Sequence, residues 1–463
     1  MDPEKEKPML TYTLKKAPGM PLYEALYRCI REDIRSGKLQ PGDKLPSKRA
    51  LASNLEVSKN TVEGAYNQLL SEGYISSREK IGYFVEDGAY TQAAAPAQSQ
   101  PDAPRQEYPI DLTQNAPEHF PFSVWSRLQR QVMLDLGEEL LHSIPNQGVY
   151  ALRKAICDHL AAFRGMQVSP ENVLIGAGGD FLCNLLMQLL GKDKIFAVEE
   201  PGYEKTRKIY LSGGVKCVAA PMDDRGVMPQ ALLGVGVLHI SPSHHFPTGL
   251  VTPLQRRKEL LAWAAQGERY IIEDDYDSEF RFHERPVSAM FTQDRAGSVI
   301  YMNSFSKSLA PSIRISYLVL PPRLMEKFRR ELGFYGCTVP SFEQHTLARF
   351  ISQGHFEKHI NRLRRAYKLR RDQVVRLIQS CPFADKLTIL EQDAGLHFLV
   401  KVDSPLSAEE MVERCQKAGI NIRSLQSYYH RPMGSEAEKC LLVNYSSLRL
   451  EKLPELQQRL AMI

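Results

Sequence analysis

The sequence predicts an α/β protein in two units. A small N-terminal unit of short helices closes in a β-hairpin. A large unit carries a mostly parallel sheet between helices, with a smaller C-terminal α+β subdomain. Three observations lead to this expectation. The chain has 463 residues, beyond the ~100–200 of one domain. Near residue 108 short helical patterns give way to apolar β-rich runs alternating with helical stretches. An Ala/Gln/Pro stretch at the change has almost no large apolar side chain and reads as a linker. The expected division is 1–87, a linker over 88–108, and 109–463.

Hydrophobic residues make up 43% and charged residues 24%, a globular mixture that excludes collagen-like, wholly disordered and disulfide-scaffold proteins. No apolar run is long enough to span a bilayer, so no membrane partner is expected. The charged start, Met1 to Lys7, is not a secretory signal, and a cytoplasmic location is expected. The eight cysteines are scattered without a CxxC pair, which predicts reduced thiols and no structural metal. A net charge of +5 on this length neither demands nor excludes nucleic acid.

In the first unit, Leu22, Ala25, Leu26, Cys29, Ile30 and Ile34 recur at helical spacing and predict an amphipathic helix over 21–36. Pro41-Gly42 turns the chain. Ser47 can cap a second helix from Lys48 to about Leu55, and Ser58 a third that buries Val62, Ala65, Tyr66, Leu69 and Leu70. Residues 74–78 and 81–85 then read as two strands, a small wing around Glu79-Lys80.

A helix–turn–helix with a wing presents one helix N-terminus to the major groove of double-stranded DNA. The candidate DNA-binding residues are Lys44, Ser47, Lys48, Arg49, Ser58, Lys59, Asn60, Thr61, Arg78, Lys80 and Gly82. Acids and bases nearly cancel in this unit, so the position of these few cations matters more than their sum. Leu45-Pro46-Ser47-Lys48-Arg49-Ala50-Leu51-Ala52, Val57-Ser58-Lys59-Asn60-Thr61-Val62 and Glu72-Gly73-Tyr74-Ile75 resemble the GntR-type winged helix.

In the second unit the apolar runs at 173–175, 195–198, 235–240, 270–272 and 299–302 predict strands buried on both faces. Sites in such folds form at the carboxyl ends of the strands. After the first run, Gly176-Ala177-Gly178-Gly179-Asp180 precedes a helix, an arrangement that can cradle a phosphate. After the fourth, Glu273-Asp274-Asp275-Tyr276-Asp277 invites a metal reading, which the scarcity of nearby histidines disfavours. After the fifth come Ser304-Phe305-Ser306-Lys307 and, seven residues past the lysine, Arg314. Together these fit pyridoxal 5′-phosphate (PLP). Lys307 is the Schiff-base lysine, Asp274 the partner of the ring nitrogen, and Arg314 with Gly178, Gly179, Ser304 and Ser306 the phosphate clamp.

These motifs resemble the fold-type-I aminotransferases over most of 109–463. The resemblance implies that Tyr203 stacks on the cofactor ring and Tyr276 reaches its hydroxyl, since Phe246 stands where an asparagine is usual. A winged helix joined to such a unit resembles the MocR subfamily of GntR regulators. That resemblance implies a PLP-dependent, DNA-binding transcriptional regulator, homodimeric, acting on an operator and sensing a small amine, an amino-acid-like effector or PLP itself. Lys205, His245 and His397 are candidate effector contacts.

The pattern departs from the aminotransferases at one place. The arginine they use to grip the substrate carboxylate corresponds to Leu442 in Cys440-Leu441-Leu442-Val443-Asn444. This favours a regulator over the alternative, an active aminotransferase carrying a DNA-binding domain. Asp180 beside a phosphate is unfavourable unless paired. The basic run from Arg362 to Arg371 reads as the solvated face of a long helix.

Overall fold

The computed structural model describes residues 10–12, 14, 21–87, 108–114, 119–282, 287–390, 395–430 and 439–462. The chain divides after Gln106 into two compact units. Apart from Tyr108, the expected linker lies outside the described residues.

In the small unit, helices Leu22–Arg35, Lys48–Asn54 and Lys59–Ser71 form where apolar spacing and caps agree. The Ser47 hydroxyl accepts from the Ala50 amide and the Ser58 hydroxyl from the Thr61 amide. Each satisfies a donor that a helix start leaves open. Leu26, Ile30, Leu51, Val62, Ala65, Tyr66 and Leu69 are fully buried and form one core. The wing is a three-stranded antiparallel sheet in the order Lys44–Leu45, Gly82–Val85, Ile75–Arg78. The sequence reading contained only the hairpin; the added strand has two residues, too few for a period to register. Lys80 turns the hairpin in the left-handed region, at φ 57°.

The large unit holds an eight-stranded sheet. Its spatial order is Val173–Gly176, Ser316–Val319, Val299–Ser304, Tyr270–Asp274, Val237–Ile240, Phe196–Glu200, Cys217–Asp223 and Gly226–Val227. The strands from Val299 to Cys217 in that order run parallel. Ser316–Val319 is antiparallel to both neighbours, and Gly226–Val227 is an antiparallel edge. Successive side chains enter opposite layers: Leu174 and Ile300 belong to one core, Ile175 and Tyr301 to another. Ser316–Val319 and Cys217–Asp223 are strands the sequence reading did not contain. The first is short, and Pro221 interrupts the second.

The smaller subdomain carries an antiparallel sheet in the order Leu387–Leu390, His397–Val402, Cys440–Asn444, Arg423–Ser424. Here Arg423 lies directly across from Leu442. On the helix His355–Gln379 the expected solvated basic face holds for the exposed Arg362, Arg365 and Lys368 and fails for the buried Arg370 and Arg371. Arg362 donates to the His119 carbonyl, while Arg364 and the buried Arg370 donate to those of Glu279 and Ser446. These arginines stitch the unit together internally. No helix among the described residues is long and apolar enough to cross a membrane.

Candidate functional site

A cavity of about 370 Å³ opens at the carboxyl ends of the parallel strands, inside the ~300–1,000 Å³ range of small-molecule sites. Its lining draws Glu199, Tyr203, His239, Asp274, Tyr276 and Lys307 from the large sheet and its loops. The smaller subdomain adds Arg423, Tyr428, Leu442 and Asn444.

Lys307 follows the strand Val299–Ser304, and among the described residues its amine has no hydrogen-bond or ion-pair partner. Burial pushes its pKa down, with Asp277 opposing, so a larger fraction of the amine is neutral and nucleophilic.

The acidic run divides its labour. Glu273 accepts from the Met290 and Phe291 amides, both at 2.9 Å. Asp275 pairs with Arg164 at 3.1 Å and accepts from the Tyr301 hydroxyl at 2.6 Å. Asp277 meets His244 at 2.8 Å. Only Asp274 of these acids lines the cavity. Among the described residues no group of acids, histidines and cysteines could hold a metal ion.

Behind Asp274 stands His239, its Nε2 3.5 Å from the carboxylate and its Nδ1 2.6 Å from the Tyr210 hydroxyl. Burial opposes the charged imidazole, but the hydrogen bond to Asp274, contacts with Cys183 and the Asp274 charge lift its pKa to about 10. The sequence reading did not single out His239 as a site residue. Its one signal was a histidine inside the otherwise apolar strand Val237–Ile240. Glu199, also on the cavity wall, is raised to about 8, chiefly by burial, so it holds a proton at neutral pH.

The glycine-rich junction lies beside the cavity, not in its lining. Register carries Gly176 across Ser316 to Ser304, which joins the junction to the serines. Gly178 has φ 92° and stands at the N-terminus of the helix Gly179–Leu190. A Cβ there would collide with the Arg314 guanidinium. The Ser304 hydroxyl donates to Ser306 at 2.8 Å and accepts from the Ser306 amide at 3.1 Å. Asp180 is paired, with Lys205 at 2.7 Å and Arg314 at 3.4 Å, which resolves the difficulty it raised.

Tyr203 lies edge-on to Phe246, ring centroids 5.9 Å apart, and is 55% exposed. The Tyr276 hydroxyl is 3.3 Å from His244 Nδ1. The three expected effector contacts have neighbours of their own. Lys205 is engaged by Asp180. His245 is fully buried, bonded to Thr248 at 2.7 Å, and burial lowers its pKa to about 3. His397 packs between His244 and Phe246, 4.7 and 5.2 Å from their rings. None of the three lines the cavity. Gly395 makes this packing feasible, since at φ 71° a Cβ would overlap the His244 ring.

On the small unit, Lys44, Ser47, Arg49, Ser58, Lys59, Asn60, Arg78 and Lys80 are exposed, and Thr61 and Gly82 are half-buried. Ser58 and Thr61 hydroxyls bond to each other at 2.8 Å. Lys48 departs from the expected docking role. It pairs with Glu63 at 2.7 Å and sits over the Tyr83 ring, so its charge is largely balanced within the unit.

A helix–turn–helix with a wing in one unit and a lysine-bearing cavity at strand ends in another define a DNA-binding protein fused to an aminotransferase-type unit. The family described as aminotransferase class I and II matches residues 108–460, and that of bacterial regulatory proteins, gntR family, matches 22–85. The HTH-type transcriptional regulator YdeL of Bacillus subtilis is 37% identical, covering 91% of this chain and 93% of its own. The probable rhizopine catabolism regulatory protein MocR of Rhizobium meliloti is 34% identical over 90% of each. A Pyrococcus horikoshii kynurenine aminotransferase structure is 25% identical with TM-score 0.66, covering 77% of this chain and 90% of its own. The chain belongs to the MocR-like transcriptional regulators of the GntR family.

The residues present fit PLP. An unpartnered amine lines the same cavity as a carboxylate backed by a cationic imidazole, beside a helix start whose glycine leaves room for an arginine.

Proposed function

We propose that this regulator binds PLP in the large unit and senses there a small amine, an amino-acid-like molecule or PLP itself, while the small unit binds a double-stranded DNA operator. The unpartnered, cavity-lining amine of Lys307 carries the reading. PLP, when bound, supplies an aldehyde that takes up amines reversibly and a ring that acts as an electron sink. Lys307 holds the cofactor covalently. Asp274 accepts the ring N–H, and His239 keeps that carboxylate ionised. Arg314, the amides at Gly178 and Gly179, and Ser304 and Ser306 take the phosphate, with Asp180 holding Arg314 in place. Tyr203 covers one ring face, and Tyr276 donates to the ring oxygen.

Lys44, Arg49, Lys59, Arg78 and Lys80 meet phosphates, and Asn60 meets a base edge. Ser47, Ser58, Thr61 and Gly82 shape the approach. The protein acts in the cytoplasm as a homodimer, so that two wings meet paired half-sites. A ligand changes DNA affinity only by binding one arrangement of the units better than another. Leu442 stands where aminotransferases place their carboxylate-gripping arginine, which on this reading favours a regulator over full transamination.

The test is an absorbance titration of the full chain with PLP and then amines, wild type beside Lys307→Ala. A near-visible band in wild type alone is expected. The same band in the variant would refute the lysine assignment. Sustained keto-acid release from an amino donor would overturn the pure-regulator reading.

A further inference from the structure

The cavity wall opposite the large sheet carries a charge that the cofactor chemistry does not use. Arg423 and Leu442 are directly opposed on antiparallel strands, and both line the cavity. Opposed residues emerge on the same face of a sheet, with Cβ atoms about 4.5–5.5 Å apart. Arg423, an exposed residue, therefore borders the cavity beside the leucine.

Arg423 is the single guanidinium among the cavity-lining residues. Among the described residues it has no carboxylate partner, although it also borders a shallow cleft containing Glu413. Its neighbour is the Tyr428 hydroxyl, whose pKa is pushed up by burial while Arg423 opposes the shift. Tyr428 is itself anchored. It is 8% exposed, its ring stands edge-on to Phe246 at 5.1 Å, and its carbonyl accepts from the Gly202 amide at 3.1 Å. The other cation near this side, Lys205, is occupied by Asp180. An anionic group on this side of the cavity would thus meet Arg423, in a wall shared with Leu442, Phe246, Tyr428 and Asn444.

We propose that Arg423 is a specificity-determining residue that holds the carboxylate of an amino-acid effector, supplying from the neighbouring strand the charge that Leu442 lacks. The inference rests on the amine-sensing reading above and deepens it: the effector is an amino carboxylate, and a simple amine lacks half of the recognition. A planar guanidinium offers two parallel donors to a carboxylate, which a lysine cannot reproduce.

The experiment uses PLP-loaded full-length protein and follows cofactor absorbance. Titrants are α-, β- and ω-amino acids of two to six carbons, each paired with its neutral carboxamide. In wild type at least one acid is expected to bind more tightly than its amide. In Arg423→Gln that acid weakens about tenfold or more, while its amide changes less than about twofold. Arg423→Lys falls between. Cofactor absorbance before titration reports that each variant is folded and loaded. Equal affinities for acid and amide in wild type, or an acid affinity unchanged in Arg423→Gln, overturn the proposal while leaving amine sensing intact. If no acid or amide moves the wild-type absorbance, amine sensing falls and this inference falls with it.

Discussion

The two candidate sites are built in opposite ways. The DNA-facing edge of the small unit is surface, assembled from residues 44–82 by caps and a hairpin turn. The cavity of the large unit is interior, and its lining runs from Thr113 to Asn444. Charge behaves accordingly. On the edge, Lys44, Arg49, Lys59 and Lys80 keep their cations in high-dielectric solvent, where on the proposed reading they would act through counterion release. In the cavity, burial shifts Lys307, His239 and Glu199, and each charge needs a named neighbour or gives up its ionisation. An exposed site is tuned by adding or removing charge. A buried site is tuned by changing what stands behind each group.

The sharpest way to break the contrast is Lys307→Ala. Borohydride reduction of the PLP-loaded chain followed by mass measurement should show one added cofactor in wild type and none in the variant. Next in size is Leu69→Ala, a fully buried core deletion in the small unit, which should cost about 2–5 kcal/mol there. Calorimetry should show one transition fall while the melting of the cofactor band stays in place. A joint shift would mean that the two units unfold as one.

Gly178→Ala meets the Arg314 guanidinium at a positive φ and should cost about 1–3 kcal/mol with weaker PLP retention. Gly179→Ala, with open space around it, is the matched control and should retain PLP like wild type. On the other side of the comparison, Lys59→Ala should lower the salt dependence of DNA binding by about one phosphate contact. Lys48→Ala should lower it less, because Glu63 already balances that charge. Equal effects in a fluorescence titration at several salt concentrations would return Lys48 to the docking edge.

The gentlest effects are in pH dependence. His239 is raised from 6.5 to about 10, so its contribution to stability is complete below pH 6.5 and is lost as pH rises through 10. Glu199 is raised from 4.5 to about 8, so stability also declines as pH climbs from 4.5 through 8. Melting temperature against pH should flatten at the upper end in His239→Gln and at the lower end in Glu199→Gln. Unchanged slopes would show that neither group is perturbed.

Motifs whose residues are neighbours in the chain were readable without coordinates. Ser47 and Ser58 are caps because a hydroxyl just before an apolar-periodic run satisfies open amides a few residues on. Lys307 stood out by its serines and by Arg314, all within one strand-to-loop connection. What stayed hidden depends on pairing over long separations. His239 matters because its strand lies beside that of Asp274. The pairing of Lys205 with Asp180 was hidden because the two stand on different helices. His245, in a loop, and His397, at the start of a strand, lie outside the cavity lining, which composition alone does not reveal.

The sequence by itself determined the two-unit organisation, the helix–turn–helix and the family, because each is carried by local patterns of caps, periodicity and short motifs. Only the tertiary structure decided what the other acids of the run 273–277 pair with, which cations are already neutralised, and that Arg423 stands beside Leu442. Those outcomes depend on strand register and burial, and a one-residue slip in register would turn every one of those strand side chains to the opposite face.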